Sequence, residues 1–280
     1  MTGIEAAEQS NRGQPHLPQQ RLIVLGASNC ARGLPQLVDV ARQELQTPLE
    51  LLAAIGHGRS YRNETLVVIR RLPGILSSGL WQALAERENV PGTALLTDIG
   101  NDLLYGAEPQ RIADWVDETF TRLAPYSSQS IVTLLPLERV RQIGTWQFRF
   151  FRSLFFPACQ LSLLEALQRA EILNQLVADL AKKHKATLVL PNLGWYGLDP
   201  IHIKRSQYAT AWQTMLQSRH QPATPAVSLH RPANHPSSLP FWQRWTLGWS
   251  SPYERKLFGI TQQTSQPVVK MSDGTTLSLF

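Results

Sequence analysis

Arg21-Leu22-Ile23-Val24-Leu25-Gly26-Ala27-Ser28-Asn29 runs a short, mostly apolar segment of strand length into a glycine turn. Leu34, Leu37, Val38 and Ala41 follow at helical spacing, and Leu49 to Ile55 is a second apolar run. The same alternation continues down the chain. Thr93 to Ile99 reads as a third strand and Ser130 to Leu135 as a fourth, stopped by Pro136; Ala186 to Leu190 is the fifth, ended by Pro191. Between the third and fourth, Ile112, Trp115, Val116, Phe120 and Leu123 form the apolar stripe of a helix. Ser162 to His184 is predicted as a long helix, because Ser162 and Glu165 have the spacing of a capping box and Lys182, Lys183 and Lys185 suit its negative end. Ile203 to Leu216 is expected to be the closing helix, with the Asp199-Pro200-Ile201-His202 turn opening it and Pro200 in its first turn. Continuous apolar strands separated by amphipathic helices predict an α/β fold, a parallel sheet covered on both faces.

This alternation spans residues 21–218, the expected main domain. Residues 1–20, rich in Gln, Pro, Ser and Gly, read as a disordered N-terminal tail without the apolar run of a secretion signal. Residues 137–160 interrupt the pattern and gather Trp146, Phe148, Phe150, Phe151, Phe155 and Phe156 among Arg139, Arg141, Arg149 and Arg152. Three readings stand for this insertion: a substrate-side lid, a peripheral membrane contact through 139–156, or a segment packed onto the core beneath arginine stems. Residues 219–280 are expected to be a linker and an accessory segment. The latter carries Phe241, Trp242, Trp245 and Trp249, then a hairpin signal in which Val268-Val269 and Thr275 to Phe280 flank Asp273-Gly274.

Composition narrows the classes of function. Only Cys30 and Cys159 are present among 280 residues, too few for a disulfide framework, so a reducing, cytoplasmic location is expected. No run approaches the ~18 apolar residues of a membrane span. The formal charge of +6 is spread along the chain with no finger or long basic block, which argues against a nucleic-acid partner. His16, His57, His184, His220, His230 and His235 show no close ligand spacing, so no metal or other cofactor is expected.

Four short segments carry the candidate chemistry, each after a predicted strand or in a helix-opening loop, where open parallel sheets gather reactive groups. Ser28 in Gly26-Ala27-Ser28-Asn29 is the candidate nucleophile, against the alternative of a helix cap; Cys30 is a rival without a partner set. Asn101 in Gly100-Asn101-Asp102 can donate its amide to a developing oxyanion, or the triplet is an ordinary turn. Gly58 in Gly56-His57-Gly58 can offer a further amide, with Gly56 as the alternative. Asp199, three residues before His202, can orient that imidazole as a general base, or be a capping aspartate beside an exposed histidine. Asn29, His57, Arg59 and Tyr61 lie in the same loops as candidate substrate-binding residues, with Ser60 beside them.

These four blocks, in this order, resemble the SGNH, or GDSL, family of esterases and lipases. The resemblance implies a flavodoxin-like, three-layer α/β/α sandwich around a five-stranded parallel sheet, and metal-free ester hydrolysis. It maps the nucleophile to Ser28, the oxyanion groups to Ser28, Gly58 and Asn101, and the acid and base to Asp199 and His202. Ala27 departs from the family pattern, which commonly has aspartate there. The function expected is therefore a serine hydrolase that cleaves a small-molecule carboxylic ester through an acyl-enzyme. The alternatives are acyl transfer to a sugar or other alcohol, and a non-catalytic member of the fold that binds a membrane or a protein. Oligomeric state and substrate are not legible in the sequence.

Overall fold

The computed structural model describes residues 17–67, 69–220, 239–240, 242, 247 and 252–280. Most of the expected tail, the 221–238 linker and the aromatic residues Phe241, Trp245 and Trp249 lie outside the described residues. The strands are β1 (Gln20–Leu25), β2 (Leu49–Ala54), β3 (Thr65–Val67), β4 (Arg70–Leu72), β5 (Gly92–Leu96), β6 (Gln129–Thr133), β7 (Thr187–Val189), β8 (Glu254–Leu257), β9 (Ile260–Gln263), β10 (Val269–Lys270) and β11 (Thr276–Leu279). The helices are α1 (Ser28–Arg32), α2 (Leu34–Glu44), α3 (Leu80–Ala85), α4 (Asn101–Leu104), α5 (Pro109–Leu123), α6 (Leu137–Arg141), α7 (Thr145–Phe155), α8 (Leu163–Lys183) and α9 (Tyr208–Gln217).

The main sheet has the order β10-β11-β2-β1-β5-β6-β7 and is parallel throughout except at β10. Alternation along β1 shows why its apolar run is continuous. Leu22 and Val24 point to one face, where α2 and α9 pack through Leu37, Val38, Trp212 and Met215. Ile23 and Leu25 point to the other, against α3, α5 and α8 through Leu84, Val116, Phe120 and Leu173. Burial on both faces requires apolar residues at both parities, and this gives the three-layer α/β/α sandwich.

The five expected strands are all present, and the C-terminal hairpin extends them to seven. β10 and β11 pair around Asp273-Gly274, and β11 lies parallel against β2 with Leu277 beside Leu51 and Leu279 beside Ala53. The short run Thr275 to Phe280 does not reveal in advance that its partner lies more than two hundred residues earlier. Beyond it, the Phe280 carbonyl accepts from the buried Arg59 guanidinium, which also donates to the carbonyls of Pro73 and Ile55. A second, antiparallel sheet, β3-β4-β8-β9, was not expected from the sequence; its strands are short, and β4 and β8 carry charge.

Local signals hold where the pairing partners are close in sequence. The Ser162 hydroxyl accepts from the Glu165 amide and the Glu165 carboxylate accepts from the Ser162 amide, so the capping box sets the start of α8. The 137–160 insertion folds as α6 and α7. Phe148 is buried on the inner side of α7, while Trp146, Phe150 and Leu154 remain exposed and Arg149 lies over the Trp146 ring. Among the described residues no helix is long and apolar enough to cross a membrane.

Leu277 is fully buried in the β11 contact with the α2/α9 face. Leu277→Ala is expected to lower the unfolding free energy by about 2–5 kcal/mol. Urea unfolding followed by tryptophan fluorescence checks this, and a variant as stable as the parent would place β11 outside the cooperative core.

Candidate active site

The site lies at the carboxyl ends of β1, β2 and β5, with a fourth contribution from the loop before α9. A carboxyl-end position follows from the topology, since each parallel strand delivers its next loop to the same rim. Ser28 begins α1 immediately after the Gly26-Ala27 turn. A Cβ on Gly26 would come within 2.7 Å of Cys30 Sγ and 2.9 Å of Thr97 Cγ2, so the turn needs glycine to pass this close to β5.

Ser28 Oγ is 2.9 Å from His202 Nε2, and His202 Nδ1 is 2.6 Å from Asp199 Oδ2. With Nδ1–H donated to the carboxylate, Nε2 is left to accept from the serine hydroxyl. Asp199 Oδ1 accepts from the backbone amides of Ile201, at 2.9 Å, and His202, at 3.2 Å. Burial pushes the Asp199 carboxyl up, but the imidazole and the two amides outweigh it and hold the group below its usual range. The turn therefore fixes the acid, and the acid fixes the ring. It does not open the helix as expected: Tyr196 and Ile203 form a β-bridge around it, and α9 begins only at Tyr208. Asp199 thus caps the amides of its own turn although α9 does not start there.

Asp98 is the residue that sequence reasoning missed. The third strand was expected to reach Ile99, but β5 ends at Leu96 and Asp98 turns the chain at φ 57°. Its Oδ2 accepts from the amides of Ala27, at 2.9 Å, and Asn29, at 3.0 Å, while Oδ1 accepts from Asn29 Nδ2 at 2.7 Å. The carboxylate that grips the Ser28 turn thus comes from the neighbouring strand end, in a chain with alanine at 27. An acid inside an otherwise apolar run was the available signal.

Asn29, expected to bind substrate, borders a cavity but commits its side chain to the protein. Beyond its bond to Asp98, Nδ2 donates to the Ile201 carbonyl at 3.2 Å and Oδ1 accepts from the Ile203 amide at 2.9 Å. It joins the Ser28 turn to the His202 turn. Arg59 and Tyr61 are likewise buried and internally engaged: Arg59 on backbone carbonyls as above, Tyr61 through its hydroxyl to the Thr97 carbonyl at 3.0 Å. Neither faces a pocket, because both side chains run inward from a loop that packs on the sheet. His57 alone of that group is exposed. Burial of its inner part, then Arg70, Arg32 and His202, depress its proton affinity.

The loops carrying Gly58 and Asn101 are braced together. Tyr105 Oη donates to the Gly58 carbonyl at 2.6 Å, and Asn101 Nδ2 reaches the Arg59 carbonyl at 3.4 Å. Asp102 accepts from the Ser60 hydroxyl and, at 2.9 Å, from the Tyr61 amide. Gly58 has φ +63°, and a Cβ there would meet Tyr105 Oη and Val67 Cγ2 at 2.8 Å. Cys30, the rival nucleophile, is fully buried, and burial with the nearby Asp98 charge pushes its thiol well above the ordinary range.

Phe155 of α7 stands edge-on to the His202 ring, with centroids 4.9 Å apart. A cavity of about 120 Å³ is bordered by Asn101, Leu103, Leu135, Phe148, Phe151 and Ala170. Through Phe155 the insertion reaches the site, and it lends the cavity Phe148 and Phe151 together with Arg152.

No family model and no curated protein matches the chain. Solved structures do match in fold. One aligns at TM-score 0.50 and 10% identity, covering 71% of this chain and 96% of the other. The psychrotrophic esterase EstA from Pseudoalteromonas sp. aligns at TM-score 0.45 and 12% identity, covering 72% and 96%. A member of the lipolytic protein G-D-S-L family from Veillonella parvula aligns at TM-score 0.46 and 10% identity, covering 72% and 98%. The likeness is one of fold.

Two outcomes test the bracing. Asp98→Ala leaves three N–H donors without their acceptor and is expected to cost about 2–4 kcal/mol of stability, read by urea unfolding. Burial raises the Asp102 carboxyl to about 6 against the hydrogen bonds of Ser60 and Tyr61. The folded state then holds its proton longer than the unfolded state, so Asp102 makes stability fall as pH rises from the ordinary carboxyl range through about 6. The stability difference between parent and Asp102→Asn, measured by thermal melting from pH 4 to 7, should shift against the parent over that window.

Proposed function

We propose that the protein is a serine hydrolase that cleaves a carboxylic ester through an acyl-enzyme. The observation that carries this reading is the unbroken chain from Ser28 Oγ through His202 to Asp199, at 2.9 and 2.6 Å, built from three segments distant in sequence. A cap or a solvated histidine needs no such line.

In this reading Ser28 Oγ attacks the ester carbonyl as its proton passes to His202 Nε2, and Asp199 stabilises the imidazolium. The Ser28 amide, which the first turn of α1 leaves without a helical acceptor, joins the Gly58 amide and Asn101 Nδ2 in receiving the oxyanion. The bond from the carbonyl carbon to the alcohol oxygen breaks, and that oxygen takes the proton from His202. Water then adds to the acyl-enzyme, giving its proton to His202, and the ester bond to Ser28 breaks to release the acid and restore the hydroxyl. No metal is needed for these steps, since the oxyanion is met by hydrogen-bond donors.

The apolar cavity beside Asn101 favours a short acyl chain directed beneath α7, with Phe155 screening the acyl-enzyme from water. Oxyanion donors and acyl pocket then share one side of Ser28, and the alcohol leaves on the His202 side.

Fluorophosphonate labelling followed by mass spectrometry is expected to modify Ser28, and labelling elsewhere or nowhere would reject the reading. Against short nitrophenyl esters, Ser28→Ala and His202→Ala should each lose on the order of 10⁴–10⁶ in turnover. Asn101→Ala should lose about 10²–10³, chiefly in kcat.

A further inference from the structure

Beside the apolar cavity, and sharing Ile203 with it, lies an open cleft bordered by Arg32, Gln36, Leu198, Asp199, Lys204, Arg205 and Tyr208, with His202 itself in its wall. Its charge is one-sided. Arg32, Lys204 and Arg205 are all exposed, and among the described residues none has a carboxylate partner. The one acid in the wall, Asp199, is already taken up by the His202 ring and two amides. Three cations held together with so little compensation repel one another, and an anion relieves that repulsion.

A second observation points the same way. Tyr208 is only 1% exposed and its hydroxyl has no hydrogen-bond partner, although a buried hydroxyl ordinarily has one. Burial pushes this phenol above its ordinary range, so it remains a donor at neutral pH. The Oε1 atom of Gln36, also in the cleft wall, is buried and unpartnered. Gln36 Oε1 is an acceptor and calls for a hydroxyl of the ligand, whereas the Tyr208 hydroxyl beside three free cations is a donor that lacks only an acceptor. The field extends to the mouth of the site: Arg32 and Arg70 both disfavour the protonated form of His57.

Position supplies the chemistry. A leaving alcohol oxygen must approach His202 Nε2 to receive its proton, so the remainder of that alcohol extends along the His202 side. We propose that the alcohol part of the substrate carries an anionic group of the phosphate-monoester class, held by Arg32, Lys204 and Arg205 with the Tyr208 hydroxyl. This rests on the serine-hydrolase reading for its orientation, while the anion site itself stands on the cleft. Acyl and alcohol would then be sorted by opposite chemistry, an apolar cavity beside Asn101 and a cationic cleft beside His202. Binding energy spent on the phosphate positions the ester for attack.

The experiment compares 1-acetylglycerol with 1-acetylglycerol 3-phosphate, which share the scissile bond and differ only in the phosphate. At low ionic strength kcat/KM for the phosphorylated ester should exceed that for the neutral one by roughly 10- to 100-fold, as charge-assisted hydrogen bonds imply. The ratio should fall toward one in 0.5 M salt as ~3 Å screening sets in, and also in the combined variant Arg32→Gln, Lys204→Gln, Arg205→Gln. Tyr208→Phe, which removes only the hydroxyl, should lower the ratio by a smaller factor. A ratio near one for the parent overturns the proposal while leaving ester hydrolysis standing.

A binding arm is independent of turnover. Glycerol 3-phosphate, titrated into the Ser28→Ala protein by calorimetry, should bind to it and lose affinity at least tenfold in the same protein carrying the three glutamines. Vesicles of phosphatidic acid in phosphatidylcholine, titrated in parallel, distinguish a lipid headgroup from a soluble phosphate ester as the source. Binding of either that depends on the three cations supports the site; binding of neither overturns it. Fluorophosphonate labelling of Ser28 in the parent tells that failure apart from failure of the hydrolase reading.

Discussion

The Asp98 carboxylate is the constraint on which the site depends. It sits where β5 ends and gathers the amides of Ala27 and Asn29 together with the Asn29 side chain, so the Ser28 turn cannot move without breaking charge-assisted hydrogen bonds. Asn29 carries the constraint onward to the backbone at Ile201 and Ile203, on either side of His202. One half-buried carboxylate thereby sets the distance between a hydroxyl and an imidazole that stand 174 residues apart. A network this saturated has few alternative arrangements, because any rotamer change leaves a buried donor unmet.

The second brace works on the opposite side of the rim. Asp102 joins the 58–61 loop to α4, and Tyr105, which caps the end of that helix, fixes the Gly58 peptide. Both braces start from the segment that follows β5, so this central strand orients three loops at once. The C-terminal strand contributes from a distance: Arg59, buried beneath the Gly58 loop, is held partly by the Phe280 carbonyl. Residues that a domain reading sets apart from the site therefore support the loop beside it.

Surfaces beyond the reactive groups divide by polarity. Inner α7 and α8 residues present an apolar wall, while the stretch from Leu198 to Tyr208 presents cations and an unmet phenol. Opposite polarity on neighbouring surfaces is one way in which a site with common chemistry acquires a preference.

Some of this was legible in the sequence, for reasons that are local. The continuous apolar runs at β1, β2, β5, β6 and β7 required strands buried on both faces, and hence a parallel sheet under two helical layers. The Ser162/Glu165 spacing set a helix start that depends on four consecutive residues alone. Ser28, Asn101, Asp199 and His202 stood out because each is an unusual residue type at a strand end or tight turn. What the sequence could not carry was any pairing whose partner is remote. The roles of Asp98 and Asn29, the inward turn of Arg59 and Tyr61, the entry of β11 into the sheet and the cationic wall all depend on which loops the sheet order brings together. Residue type and spacing determined the elements and the reactive groups; proximity across the rim, which only the packed sheet creates, decided which of them touch.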